Sequence, residues 1–192
     1  MTGKLDGKRI AILATDGVEQ VELTGPRDAV TREGARTEIV SPADGEIQAM
    51  NGDIDPADRF GVDRTAAQAD AADYDGVIMP GGTVNADRLR MDPDVRRFVR
   101  DAFQAGTPVG VICHGPWTLV EADLVRGRTL TSYPSLRTDI RNAGGIVVDE
   151  EVVTDNGLVS SRNPDDLPAF CAKIVEEFAE GAHRVHRQGA TA

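Results

Sequence analysis

The chain has 192 residues, 40% hydrophobic and 28% charged, which suits a single soluble domain with a full core. Acidic residues outnumber basic ones, 32 to 21, and the net charge of −11 without a Lys/Arg-rich patch argues against binding a nucleic-acid backbone. The polar start, Met1 to Lys8, and the lack of a membrane-length apolar run predict a cytoplasmic protein without signal peptide or anchor, whose cysteines, Cys113 and Cys171, are free thiols.

Arg9 to Thr15 is a short apolar run ending in Asp16-Gly17, a strand and a turn. Val21 to Glu33 places apolar residues at near-helical spacing and closes on Gly34, with Pro26 expected in the first turns. Arg36 to Ser41 reads as a second strand. Positions 42–64 are rich in Asp, Gly and Pro without a period, and a hairpin or insertion on the sheet edge is expected there. Gly76 to Met79 reads as a buried strand running into Pro80-Gly81-Gly82. Asp92 to Ala105 is the clearest amphipathic helix, with Val95, Phe98, Val99, Ala102 and Phe103 on one stripe and Gly106 as its stop.

Val109 to Ile112 is a further buried strand, and it breaks into Cys113-His114-Gly115-Pro116 and a helix through Leu119 to Ala122. A short strand at Thr129 to Thr131, a helix over Pro134 to Ala143, and strands at Val147-Val148 and Val152 to Ser160 follow. The last helix spans about Pro164 to Glu180, and residues after about Gly181 read as a solvated tail. Strands alternating with helices predict one domain, core about 9–180, with a mostly parallel sheet covered on both faces. Ligands gather at the carboxyl ends of such strands, where Asp16 to Glu19, Pro80-Gly81-Gly82 and Cys113-His114 are expected to converge.

Cys113 is the candidate nucleophile. A strand-to-helix elbow lifts a side chain above the sheet edge, beside unpaired helix N–H groups that should lower its pKa and populate the thiolate near neutral pH. The elbow is partial, because Gly115 is small two places after the cysteine but Val111 is not two places before. His114 is the candidate base, although immediate neighbours at an elbow often diverge. Glu19 is either a carboxylate beside the thiol or a helix cap, and Glu22 reads as a first-turn acid favoured by the helix dipole. Gly81 and Gly82 supply backbone N–H groups suited to an oxyanion, or simply a turn. Asp87 is either an orienter of a histidine or a solvated loop acid. Cys171 falls in the last helix's apolar stripe and reads as core. His183 and His186 lie in the tail and are not expected to hold a metal, and no nucleotide fingerprint is present, so no cofactor is expected.

Taken in order, Thr15-Asp16-Gly17-Val18-Glu19-Gln20-Val21-Glu22-Leu23, Met79-Pro80-Gly81-Gly82, Val111-Ile112-Cys113-His114-Gly115-Pro116, Thr131-Ser132-Tyr133-Pro134 and Val159 to Leu167 resemble the ThiJ/PfpI superfamily, and within it the PfpI-like branch of cysteine hydrolases and stress proteins. The resemblance implies an α/β, flavodoxin-like three-layer sandwich of the class I glutamine amidotransferase type. It further implies that Cys113 is the nucleophile, that Glu19 contacts its sulfur, and that the N–H groups of Gly82 and His114 form an oxyanion site. Tyr133 falls near the active cysteine. The family's acid, donated to the histidine across a subunit interface, maps to Asp87, so a homo-oligomer is expected.

Relatives in that branch are proteases, deglycases of dicarbonyl adducts, or stress proteins. Deglycation of methylglyoxal or glyoxal adducts, on a small molecule or a protein, is the leading expectation. An intracellular cysteine peptidase is the alternative, and a thiol redox sensor or stress chaperone is the alternative of another class. Glutamine amidotransferase chemistry is not expected, since no downstream His-x-Glu pair is present to serve the cysteine.

Overall fold

In the computed structural model, which describes residues 3–183, the elements in chain order are β1 (Arg9–Leu13), β2 (Val18–Glu19), α1 (Gln20–Arg32), β3 (Arg36–Ser41), β4 (Glu46–Asn51), β5 (Asp55–Gly61), β6 (Arg64–Thr65) and β7 (Gly76–Met79). They continue as α2 (Thr83–Met91), α3 (Pro93–Ala105), β8 (Val109–Ile112), α4 (Pro116–Glu121), β9 (Thr129–Leu130), α5 (Arg137–Asn142), β10 (Ile146–Val147), β11 (Val153–Asp155), β12 (Leu158–Ser161) and α6 (Leu167–Glu180). The tail expected after Gly181 lies outside the described residues from position 184 onward, His186 included. Among the described residues no helix is long and apolar enough to cross a membrane.

Seven strands form the main sheet in the order β11-β12-β8-β7-β1-β3-β6. All neighbours are parallel except β11 on β12. Because successive strand residues point to opposite faces, β1 sends Ile10 and Ile12 to one core and Ala11 and Leu13 to the other. The first core is closed by Leu23 and Val30 of α1 and by Phe170, Ile174 and Phe178 of α6. The second is closed by Leu89 of α2, Val95, Phe98 and Val99 of α3, Leu119 of α4 and Ile140 of α5. This is the three-layer sandwich expected from the alternation of elements.

Helix α3 forms as its stripe predicts. Asp92 caps it by accepting from the N–H groups of Asp94 and Val95, both at 2.9 Å, and Pro93 opens the first turn. Helix α1 differs from expectation in one respect: Pro26 sits inside it, where it deprives the Glu22 carbonyl of its intrahelical partner. The hairpin expected within 42–64 forms as β4 and β5, and it joins β2 in a separate three-stranded sheet rather than extending the main one. Among the described residues β9 and β10 likewise pair only with each other.

From β1 the chain steps outward to β3 and β6 on one side, then returns to build β7, β8 and β12 on the other. The order therefore reverses between β1 and β7, which opens a crevice above their carboxyl ends. The segments following β1, β7 and β8 meet there.

Candidate active site

Cys113 follows β8 directly and has φ of 61°, a left-handed conformation that costs a non-glycine residue about 1–2 kcal/mol. Its N–H donates to Ser161 O at 3.1 Å and its carbonyl accepts from Tyr133 N at 3.0 Å, so the strained residue is held from both sides. Gly115 lets the turn close: a Cβ there would lie 2.7 Å from Met79 O and 2.7 Å from a methyl of Val111. Val111 thus fills the room that the elbow leaves, which is why a small residue is needed on one side only.

Glu22, fully buried, provides the acid at the sulfur. Its Oε2 accepts from Gly81 N–H at 2.8 Å, which sets the carboxyl beside the Cys113 thiol, while its Oε1 is buried without a hydrogen-bond partner among the described residues. Glu19, expected in this role, turns instead to the β4–β5 hairpin, where its carboxylate accepts from Gly52 N at 3.1 Å and Asp53 N at 3.3 Å. The reason is helical geometry. Glu19 is the residue before α1, whereas Glu22 lies three positions on, on the face turned toward the sheet. Gly81 separates acid from thiol, and a Cβ there would sit 2.4 Å from Glu22 Oε2 and 2.5 Å from Cys113 Cβ. Asn85 of α2, also fully buried, pins this segment: its Oδ1 accepts from Thr15 N at 2.8 Å, and its Nδ2 donates to Pro80 O at 3.1 Å and Gly81 O at 3.0 Å.

Burial raises the Glu22 pKa to about 8, against the opposing Gly81 N–H, so the acid carries its proton at neutral pH. The Cys113 pKa, expected to fall, is pushed up by burial and by any charge on Glu22. The backbone N–H groups of Gly82 and His114, which favour negative charge on the sulfur, only partly offset this. Helix α4 starts no earlier than Pro116 and is six residues long, so its dipole does not outweigh desolvation. The resting residue is a thiol beside a protonated acid, and two N–H donors stand ready for negative charge.

His114 is 6% exposed and does not diverge from its neighbour: Nδ1 lies 3.2 Å from Cys113 Sγ. Burial lowers its pKa, so the ring is neutral and able to accept a proton. The ring stacks on Tyr133 with centroids 4.6 Å apart and meets the edge of Trp117 at 5.6 Å. Nε2 lies 3.4 Å from Thr83 Oγ1 and 3.3 Å from Ser135 Oγ. Thr83 in turn donates its hydroxyl to Asp53 Oδ2 at 2.8 Å and its N–H to Asp53 Oδ1 at 2.7 Å.

Cys113, His114, Gly81, Gly82 and Tyr133 are thus brought together, while Glu19 stands one hydrogen bond further out. Asp87 lies on α2 rather than in a loop, is exposed, and has no hydrogen bond to His114 among the described residues. Glu22, Asn85, Thr83 and Asp53 were not singled out as site residues. Only Glu22 carried a local signal, an acid between Val21 and Leu23 at the start of an apolar helix. Cys171 is half-buried between α1 and α6, not core, because the helix turns Phe170, Ile174 and Phe178 to the sheet instead. Glu177, Glu180 and His183 cluster where the chain leaves α6, with Glu177 and His183 paired at 3.1 Å, and His183 N–H bonds Gly106 O next to the amino end of β8. That is the end of the sheet opposite Cys113.

A parallel sheet with a strained cysteine elbow at its switch point, backed by a buried acid and a stacked histidine, places the chain among the flavodoxin-like cysteine-elbow proteins. The model of the DJ-1/PfpI family matches residues 8–177, and the chain belongs to that family. An uncharacterized protein of Staphylococcus haemolyticus is 39% identical over 174 residues, 89% of this chain and 98% of that one. A two-domain protein of Anabaena variabilis with DJ-1/ThiJ/PfpI-like and ferritin-like domains superposes with a TM-score of 0.83 at 32% identity. The match covers 88% of this chain and 47% of that protein, about half its length. Drosophila melanogaster DJ-1beta superposes with a TM-score of 0.80 at 27% identity, over 90% of each chain.

Proposed function

We propose that this protein is a cysteine-dependent hydrolase of small dicarbonyl adducts, of the deglycase or glyoxalase type. The observation that carries the reading is the set of groups around one sulfur: His114 Nδ1 at 3.2 Å, the protonated Glu22, and the N–H groups of Gly82 and His114. As Sγ adds to an electrophilic carbonyl carbon, its proton passes to His114 Nδ1 and the carbonyl electrons become an oxyanion at the two N–H groups. For a methylglyoxal adduct the net change consumes one water and yields lactate and the freed amine or thiol. No electrons are gained or lost overall, so no redox cofactor is needed.

Burial favours a small substrate over an extended peptide. Cys113 is 7% and His114 6% exposed, a site that an aldehyde enters more readily than a folded polypeptide. The test follows loss of methylglyoxal, free and as thiol or amine adducts, with wild type and Cys113→Ala, and fluorescent casein on the same samples. Adduct turnover lost in the variant, without casein cleavage, is the expected result. Casein cleavage alone would move the protein to the peptidases. Two signals indifferent to Cys113 would discard the enzymatic reading in favour of a thiol sensor.

A further inference from the structure

The chemistry above needs His114 to present a bare Nδ1 to the thiol, and the mild intrinsic preference of a neutral histidine for that tautomer is readily overridden by the hydrogen bonds around the ring. We infer that Asp53, acting through Thr83, fixes His114 in the Nε2–H tautomer, within a Cys113–His114–Thr83–Asp53 chain drawn from one subunit. The inference concerns the same site as the proposed hydrolase, but it is tested without any substrate.

The direction of each hydrogen bond follows from the last member. Asp53 is a carboxylate and only accepts. Its Oδ1 takes the Thr83 N–H at 2.7 Å and its Oδ2 takes the Thr83 hydroxyl proton at 2.8 Å. With that proton committed, Thr83 Oγ1 has only lone pairs left to offer Nε2 at 3.4 Å. Nε2 therefore carries the hydrogen, and Nδ1 faces Sγ as an acceptor at 3.2 Å. Ser135 Oγ, 3.3 Å from Nε2, is free to turn its hydroxyl and accept the same N–H. When the thiol proton arrives at Nδ1, the imidazolium's charge is met through Thr83 by the Asp53 carboxylate.

Asp53 itself is held in place. It has φ of 66°, and the hairpin tip that imposes this is tied by the Glu19 carboxylate accepting from Gly52 N and Asp53 N. This gives Glu19 a purpose that neither of its sequence readings supplied: it orients the residue that orients the histidine. Asp87, by contrast, is exposed on α2 and makes no hydrogen bond to the ring of its own chain among the described residues.

Long-range proton–nitrogen correlation spectra of 15N-histidine-labelled protein read the tautomer directly. Wild type and Thr83→Ser are expected to show His114 as Nε2–H, and Thr83→Val and Asp53→Ala to show a mixed or Nδ1–H ring. Alkylation of Cys113 by iodoacetamide should slow roughly ten- to a hundredfold in the latter two and recover in Thr83→Ser. Thr83→Val is nearly isosteric, so its circular dichroism should match wild type, and loss of fold cannot mimic the result. Asp87→Asn should leave both readouts unchanged, even at dilutions where any oligomer has separated. An unaltered Nε2–H ring and alkylation rate in Thr83→Val and Asp53→Ala would overturn the inference. A tautomer shift in Asp87→Asn would do the same, and would return the orienting acid to the subunit interface.

Discussion

At the scale of single residues, the site depends on an acid kept neutral by burial. The Glu22 pKa of about 8 lies above its ordinary 4.5, so the folded chain keeps a proton that the unfolded chain releases. The contribution is full below pH 4.5 and is lost as pH rises to about 8, with a slope of at most about 1.4 kcal/mol per unit. Glu22→Gln places a permanently neutral amide in the same volume and should remove this slope. Urea denaturation at several pH values between 5 and 8 checks it, below the range where Cys113 titrates. Parallel profiles for the two proteins would mean that Glu22 is ionised in the fold. Gly81→Ala should cost about 3 kcal/mol or more, because its methyl would enter both Glu22 and Cys113. The cysteine, the histidine and the glycine loop were legible in the sequence because each sits in a local strand-to-loop break. Glu22 was misassigned because two acids three positions apart both fit the motif, and only the helix phase separates them. Asp53 and Thr83 join from distant segments and leave no local trace.

At the scale of elements, the segment after β12 shows how a motif without catalytic atoms still shapes the site. Asn163 caps the turn by accepting from Asp165 N at 3.0 Å. Asp166, 4% exposed, accepts from Arg162 N at 3.0 Å, Nε at 2.9 Å and an Nη at 2.9 Å, a fork-to-fork pairing. Arg162 also reaches Asp149 at 3.0 Å, which Arg137 meets at 2.7 Å, so α5 and the start of α6 are tied behind Ser161, the residue that holds Cys113 N–H. Asp166→Ala takes from the Arg162 guanidinium its buried partner, leaving it only the exposed Asp149, and should destabilise the fold at neutral pH. The Arg162 hydrogen bonds hold the Asp166 pKa below its ordinary 3.8, so this stabilisation is present above that value and is lost as pH falls through the folded pKa. Denaturant titrations at neutral pH and near pH 3 should show the difference between wild type and variant shrinking in acid. An equal difference at both would assign the loss to packing. Helices with a continuous apolar stripe, such as α3, were legible in the sequence. Helix α2 was not, because its buried face is Asn85, Ala86 and Leu89, and a buried asparagine breaks the hydrophobic period.

For the whole molecule, alternation of strands and helices dictated the sandwich, but sheet membership depended on long-range pairing: β9, β10 and the β4–β5 hairpin all left the main sheet. Charge acts at this same scale. An excess of 32 acidic over 21 basic residues produces self-repulsion across the surface. The opposing attraction comes from exposed ion pairs such as Arg88–Asp16 at 2.9 Å and Arg126–Asp123 at 3.3 Å, each worth well under about 1 kcal/mol. Among the described residues most basic side chains are already engaged in ion pairs, so the unpaired remainder is mainly acidic and its repulsion is the larger effect. Sodium chloride screens both, with a Debye length falling from about 30 Å at 0.01 M to about 10 Å at 0.1 M. It weakens long-range repulsion more than contacts a few ångströms apart. The unfolding midpoint should therefore rise by about 2–4 °C over that range, equivalent to roughly 1 kcal/mol. Scanning calorimetry in chloride, rather than sulfate, keeps the strengthening of apolar burial out of the comparison. A midpoint that falls with salt would show that the ion pairs outweigh the acidic surplus.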